Sequence, residues 1–163
     1  MKASWRILLL GQDFRGDDGF GPAVGRALDP WAAGQGDVTL MSIRGDAAQI
    51  LDALDGAQGA VVVDALRGGG PPGLVRVFDL AGGMQPGPET GAETSSHGFG
   101  LAQALALGHT LGGLPQRLAL VGGVGLEFGM GAAMGEAVRA SVSPACEEVK
   151  SLYHKWIDEV RCA

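Results

Sequence analysis

Apolar positions along this chain follow two rhythms. In the first they run without a break: Ile7-Leu8-Leu9-Leu10, stopped by Gly11, reads as a buried strand. Val38 to Ile43, Leu74 to Leu80 and Leu118 to Val121 are further candidate strands. Ala60-Val61-Val62-Val63 is a run of the kind found in a central parallel strand buried on both faces, and it ends at Asp64. In the second rhythm apolar residues recur at helical spacing. Pro22 suits the first turn of a helix that runs to about Leu28, where Asp29-Pro30 closes it. Asp46 caps a helix with Ala47, Ile50, Leu51 and Leu54 on one face. Ser95 or Ser96 caps another, whose core stripe is Leu101, Ala104, Leu105 and Leu111. The last helix carries Val138, Val142, Val149, Tyr153, Trp156 and Val160 on one face, and Pro144 predicts a kink or a fresh start at Ser143. Ala81 to Ser96 is rich in Gly, Pro, Thr and Ser without a period, which marks a mobile surface loop.

This alternation predicts an α/β fold: a single three-layer domain over residues 1–163, its mostly parallel twisted sheet flanked by helices. No internal repeat or linker divides the chain. At 163 residues and 46% hydrophobic, it has material for a real core and excludes a disordered arm. Glycine changes the picture, at 29 residues. Without a Gly-X-Y period these exclude collagen and imply tight turns and close backbone approaches. The net charge of −6 comes with no basic run, which argues against nucleic acid as the main partner. Cys146 and Cys162 form neither a disulfide framework nor a zinc-spaced set, and read as ordinary thiols of a reducing compartment. Ile7 to Leu10 is too short for a signal-peptide core, and no segment reaches the length of a membrane span. A cytoplasmic protein without a membrane partner is expected.

Open α/β sheets bind ligands beyond the carboxyl ends of their strands. Three polar elements fall at such ends or at the junctions facing them: Asp17-Asp18 after the first strand, Asp64 after the valine run, and His97 before a helix. A carboxylate straight after three buried valines is costly unless it is paired, hydrogen-bonded or metal-bound; a helix-capping or loop-stapling aspartate is the plainer alternative. Asp17 and Asp18 stand ahead of a helix N-terminus, where one of them suffices as a cap and the second is free for chemistry. His97, in Thr94-Ser95-Ser96-His97-Gly98, suits a metal ligand or a proton shuttle as well as a capping role. His109 and His154 sit within helices and read as surface residues. Two carboxylates and an imidazole suit a divalent ion of intermediate hardness with positions left open for substrate. Other mechanisms lack parts: there is no Gly-x-Ser-x-Gly elbow, no Walker sequence and no His-Glu-x-x-His helix. Gly16-x-x-Gly19-x-Gly21 has the wrong order for a dinucleotide fingerprint.

At these same residues the chain resembles the hydrogenase maturation endopeptidases, which trim the large subunit of nickel–iron hydrogenases. Their opening strand and Gly-Asn…Arg-Gly-Asp-Asp-Gly-x-Gly loop correspond to Gly11-Gln12-Asp13-Phe14-Arg15-Gly16-Asp17-Asp18-Gly19-Phe20-Gly21. Their strand ending in Asp-Ala, followed by Pro-Gly, corresponds to Val61-Val62-Val63-Asp64-Ala65 and Pro72-Gly73. Their Ser-x-His before a helix corresponds to Ser95-Ser96-His97-Gly98-Phe99-Gly100-Leu101, and their Pro-x-x-Leu-x-Leu-Val-Gly strand to Pro115 through Gly122. Leu9 and Gln12 replace a family glycine and asparagine, and Gly135-Glu136 replaces a Ser-Pro-Glu turn.

The resemblance implies an endopeptidase that removes the C-terminal extension of a hydrogenase large-subunit precursor. Nickel arrives on the substrate's cysteines rather than held by the free enzyme, and Asp18, Asp64 and His97 form the metal-recognising and catalytic site. Gly45 matches a glycine of the family's recognition loop. Two other classes remain open from the residues alone. One is a different metal-dependent hydrolase of similar fold, which would act without a protein precursor. The other is a non-catalytic binding module, which would tolerate loss of Asp64.

Overall fold

The computed structural model describes residues 4–94 and 98–163. A six-stranded sheet forms its middle layer, in the order β2-β1-β3-β6-β4, with β5 joined to β3. Strands β1 (Trp5–Leu10), β2 (Val38–Ile43), β3 (Gly59–Gly68) and β6 (Arg117–Gly125) run parallel. Strands β4 (Val75–Asp79) and β5 (Ala92–Thr94) are antiparallel to β6 and β3. Helices α1 (Phe20–Gln35) and α4 (Glu136–Cys162) cover one face, and α2 (Ala47–Leu54) and α3 (Gly98–Leu111) the other. Side-chain alternation divides the core accordingly: Val61, Val63 and Ala65 of β3 pack toward α1 and α4, whereas Ala60, Val62 and Leu66 pack toward α2 and α3. No described helix is long and apolar enough to cross a membrane.

Five elements depart from the sequence expectation, each for a physical reason. Helix α1 runs through Pro30 to Gln35. Pro30 lies on the exposed face, so the carbonyl deprived of its N–H partner, at exposed Arg26, faces water, and continuing the helix brings Trp31 and Ala32 onto the core. In the same way α4 passes Pro144 without restarting at Ser143; Pro144 and Ala140 are both exposed. Strand β3 continues four residues beyond Asp64, because β6 remains beside it through Gly125 and β5 takes up its other edge at Leu66–Gly68. That β5 pairing also gives structure to the stretch read as a mobile loop: Ala92 is fully buried, and Arg76 donates to the carbonyls of Gly69 and Thr90. Within α3, Leu101, Ala104 and Leu105 are buried but Leu111 is exposed. The last inward position of that helix is Gly108, a close approach filled by Leu114 and Leu51. The Asp46 cap is as expected, its carboxylate accepting from Gln49 N at 2.9 Å. Ser95 and Ser96, the candidate caps of α3, lie outside the described residues.

At the amino end of the sheet, Trp5, Trp31, Tyr153 and Trp156 form an aromatic cluster, with Trp5 stacked on Trp156 and Tyr153 edge-on to Trp5 and Trp31. The Tyr153 hydroxyl donates to Asp37 Oδ1 at 2.8 Å. Burial, reinforced by that bond and the Asp37 charge, pushes the Tyr153 phenol up to about 12 from 10.0. The folded protein therefore keeps a proton that the unfolded chain releases above pH 10. The stabilisation is fully present below pH 10 and is lost as pH rises through 12. Urea titrations from pH 8 to 11.5 should show stability falling above pH 10, with Tyr153→Phe removing part of the fall and about 1 kcal/mol of stability at neutral pH. An unchanged slope in the variant would locate the titrating group elsewhere.

Candidate functional site

The sheet order fixes where a site can form. From β1 the chain moves outward through α1, on one face, to β2; it returns through α2, on the other face, to β3 beside β1. The two connections diverge at the boundary between β1 and β3, and such a switch point leaves a crevice at the carboxyl ends of the strands. β1 stops at Leu10, one residue beyond the Leu9–Val63 pairing, so Asp64 is the first residue of β3 past its paired segment with β1. Asp64 shares the alternation phase of Val62 and Leu66, which directs it to the α2 and α3 face. It is fully buried, and its Oδ1 accepts from Ala65 N at 2.9 Å.

The segment leaving β1 brings the second carboxylate to the same boundary. It turns at Gly11, whose φ of 119° suits glycine alone and whose missing Cβ makes room for the Asp18 carbonyl. A single 3-10 turn, Gly16–Gly19, then packs against β3 and leads into α1. Asp18, in that turn, is buried, and its Oδ2 accepts from Gln12 N at 3.0 Å.

Neither aspartate caps α1, whose N-cap is Gly19. Asp17 has a different task. Its Oδ2 accepts from Leu126 N and Glu127 N at 2.8 and 3.0 Å, and its Oδ1 from Gly135 N at 2.8 Å. Backbone bonds run alongside, from Asp17 N to the Glu127 carbonyl and from Gly16 N to the Ala132 carbonyl. Asp17 thus fastens the loop between β6 and α4 onto the turn that carries Asp18. Of the adjacent pair, Asp17 is committed to three backbone amides of the β6–α4 loop, whereas Asp18 turns to the backbone just after β1.

His97 lies outside the described residues. The helix that follows it starts at Gly98 on the same sheet face as Asp64, and Gly100 lies so close to the Gly45 carbonyl that no side chain fits between them. The loop of Gly45, at φ 89°, therefore sits against the first turn of α3. Among the described residues no three His, Cys, Asp or Glu side chains gather into a metal-binding group. Asp18 and Asp64 supply oxygen donors, which suit a divalent ion together with an imidazole. The cysteines stand apart: Cys146 is buried between α4 and α1, where burial pushes its thiol up, and Cys162 is exposed near the C-terminus.

Sequence reasoning missed two residues of this end of the molecule. Phe14 is a non-glycine residue at φ 67°, 83% exposed, with its carbonyl held by Gly131 N at 2.6 Å. Its only signal in the sequence is a large aromatic within a run of small and polar residues. Arg139, in the first turn of α4, faces the same loop and carries no signal of its own.

Comparison with known proteins follows the same lines. The sequence profile of the hydrogenase maturation protease family matches residues 23–152, an interval that contains Asp64 and His97 and begins just after Asp18. Among solved structures, the chain is similar to the hydrogenase maturating endopeptidase HybD of E. coli, with a TM-score of 0.74 at 18% identity over 93% of each chain. The [NiFe] hydrogenase maturation protease HybD of Thermococcus kodakarensis is 26% identical with a TM-score of 0.66, covering 91% of this chain and 98% of that one. HycI, a [NiFe] hydrogenase maturation protease from the same archaeon, gives 0.66 at 22% identity, over 93% and 92% of the two chains. No curated protein sequence matches significantly.

Proposed function

The chain belongs to the hydrogenase maturation protease family, and from that premise we propose that it is the endopeptidase that removes the C-terminal extension of a nickel-loaded large-subunit precursor. The observation that carries the reading is the fully buried Asp64 at the β1–β3 boundary, with Asp18 brought to the same boundary by the turn after β1. Nickel belongs to the substrate in this scheme. Asp18 and Asp64, with His97 as third donor, contact the loaded metal and so make cleavage conditional on loading. Carboxylate oxygens and an imidazole nitrogen are donors that suit a divalent cation delivered by the substrate. One of the carboxylates then takes the proton of the water that attacks the scissile carbonyl. The protein acts in the cytoplasm, where the precursor is still unassembled.

The test is a processing assay on nickel-loaded and nickel-free precursor of the same hydrogenase, read as subunit mass. Loss of a C-terminal peptide from the loaded form alone is expected. Cleavage of both forms would remove the metal checkpoint, and cleavage of neither would turn the assignment toward a hydrolase of small substrates.

A further inference from the structure

We propose that Arg15 is a further catalytic residue, its guanidinium receiving the negative charge that forms on the scissile carbonyl oxygen; this rests on the chain being the precursor's protease. Its position follows from the turn after β1. A 3-10 helix has three residues per turn, so side chains three apart point the same way. Here the turn is closed by Asp18 N, which donates to the Arg15 carbonyl at 3.2 Å. Gly16 and Gly19, three apart, both line the open groove toward α1 and α4, whereas neither Arg15 nor Asp18 lines it. Arg15 and Asp18, also three apart, therefore share another side of the turn, and the guanidinium stands on the side of the candidate carboxylate. The backbone that carries it is fixed. Gly131 N donates to the Phe14 carbonyl at 2.6 Å and Gly16 N to the Ala132 carbonyl at 2.9 Å, so consecutive residues of the β6–α4 loop clamp Arg15 from both sides. Phe14, immediately before it, is held in the left-handed region at φ 67°, a strain that gathers at functional sites.

The fold itself makes no use of this cation. Nearby, Arg26 pairs with Asp13 at 3.0 Å, Arg67 lies over the Phe128 ring, and Arg139 donates to the Met134 carbonyl. Arg15 is half-buried and has no ion pair or side-chain hydrogen bond among the described residues, and its Nε is shut off from solvent without a partner. A buried donor left unpaired is a cost to stability, so its presence asks for a role outside folding. Hydrolysis supplies one. As the water oxygen bonds to the scissile carbonyl carbon, the water's proton passes to a carboxylate and the carbonyl π pair moves onto oxygen. The guanidinium N–H groups of Arg15 donate to that oxyanion, in bonds strengthened by charge on both sides. When the pair returns and the C–N bond breaks, the protonated carboxylate gives its proton to the departing amine and is restored.

The experiment follows initial rates of processing by mass, over a range of nickel-loaded precursor concentrations, for wild type, Arg15→Gln, Arg15→Met and Arg15→Ala. Arg15→Gln and Arg15→Met should lower kcat about 10²-fold, as loss of an oxyanion donor does, and leave KM within about threefold. Their melting temperatures should equal or exceed that of the wild type, because the group removed has no partner in the fold. Methylguanidinium at a non-denaturing concentration should restore part of kcat to Arg15→Ala and none to Asp64→Ala, a rescue that a merely structural arginine would not show. A kcat in Arg15→Gln within about threefold of wild type overturns the assignment. So does a loss of kcat that comes with a lowered melting temperature and without rescue, which would make Arg15 a structural residue. Failure of the wild type itself on loaded precursor overturns the protease reading, and this inference with it.

Discussion

Asp64→Ala yields a soluble, folded protein that no longer processes nickel-loaded precursor. The side chain lost is wholly buried, and its Oδ1 accepts from Ala65 N. Removing it leaves that amide short of one partner, at about 1–3 kcal/mol. The melting temperature should therefore move by only a few degrees. Activity responds differently, because an acid–base group alone contributes about 10²–10⁴-fold and metal contact adds to it. Processing, followed by mass, should drop by at least about 10³-fold. Asp64→Asn separates charge from shape: it keeps the acceptor for Ala65 N yet should be equally inactive. A soluble Asp64→Ala protein that trims the precursor at the wild-type rate would sink the assignment of this residue.

Asp17→Ala produces the opposite profile, a large loss of stability. Three backbone amides, at Leu126, Glu127 and Gly135, lose their shared acceptor in a part-buried setting. Each unsatisfied amide costs about 1–3 kcal/mol, and partial access of water to the opened loop brings the total to about 3–5 kcal/mol. For a domain of this size that lowers the melting temperature by roughly 10 °C. Asp17→Asn should fall between, since its single remaining oxygen serves the Leu126 and Glu127 amides while its NH₂ opposes Gly135. Processing by Asp17→Ala should recover in part on cooling, as the β6–α4 loop closes again. Thermal melts and urea titrations of the two variants check the order; a loss below about 1 kcal/mol in Asp17→Ala would show that the staple is redundant.

The contrast between these neighbours was half legible in the sequence. Two carboxylates where a helix start needs one signalled that they differ in role. That Asp17 reaches a loop more than a hundred residues away has no local trace, because the reach is set by how α1 and α4 share one face of the sheet. The alternating rhythm gave the layers, the bounds of β2 and the Asp46 cap, all of which depend on neighbours in sequence. It ended α1 too early and expected a kink or fresh start inside α4, since Pro30 and Pro144 break only bonds that face water. It also ended β3 at its carboxylate, because local polarity cannot reveal that β6 and β5 go on satisfying the backbone beyond it. The placing of Asp18 after β1 and of Asp64 within the buried valine strand could be read from the sequence; the exposure of Phe14 and its left-handed backbone could not, because both exist only in the folded chain.

The pairing of β1 with β3 has a bearing on when this protein can act. Residues joined there, such as Trp5 and Gly59, are more than fifty positions apart, and β3 in turn pairs with β6 at a similar remove. Contacts of such separation form slowly, after the intervening chain has been ordered. Asp18 and Asp64 lie on opposite sides of that long closure, so their relative position is set only once β1 and β3 have paired. Completion of the central sheet, rather than synthesis of any one segment, is therefore the step that fixes the geometry at this end of the molecule.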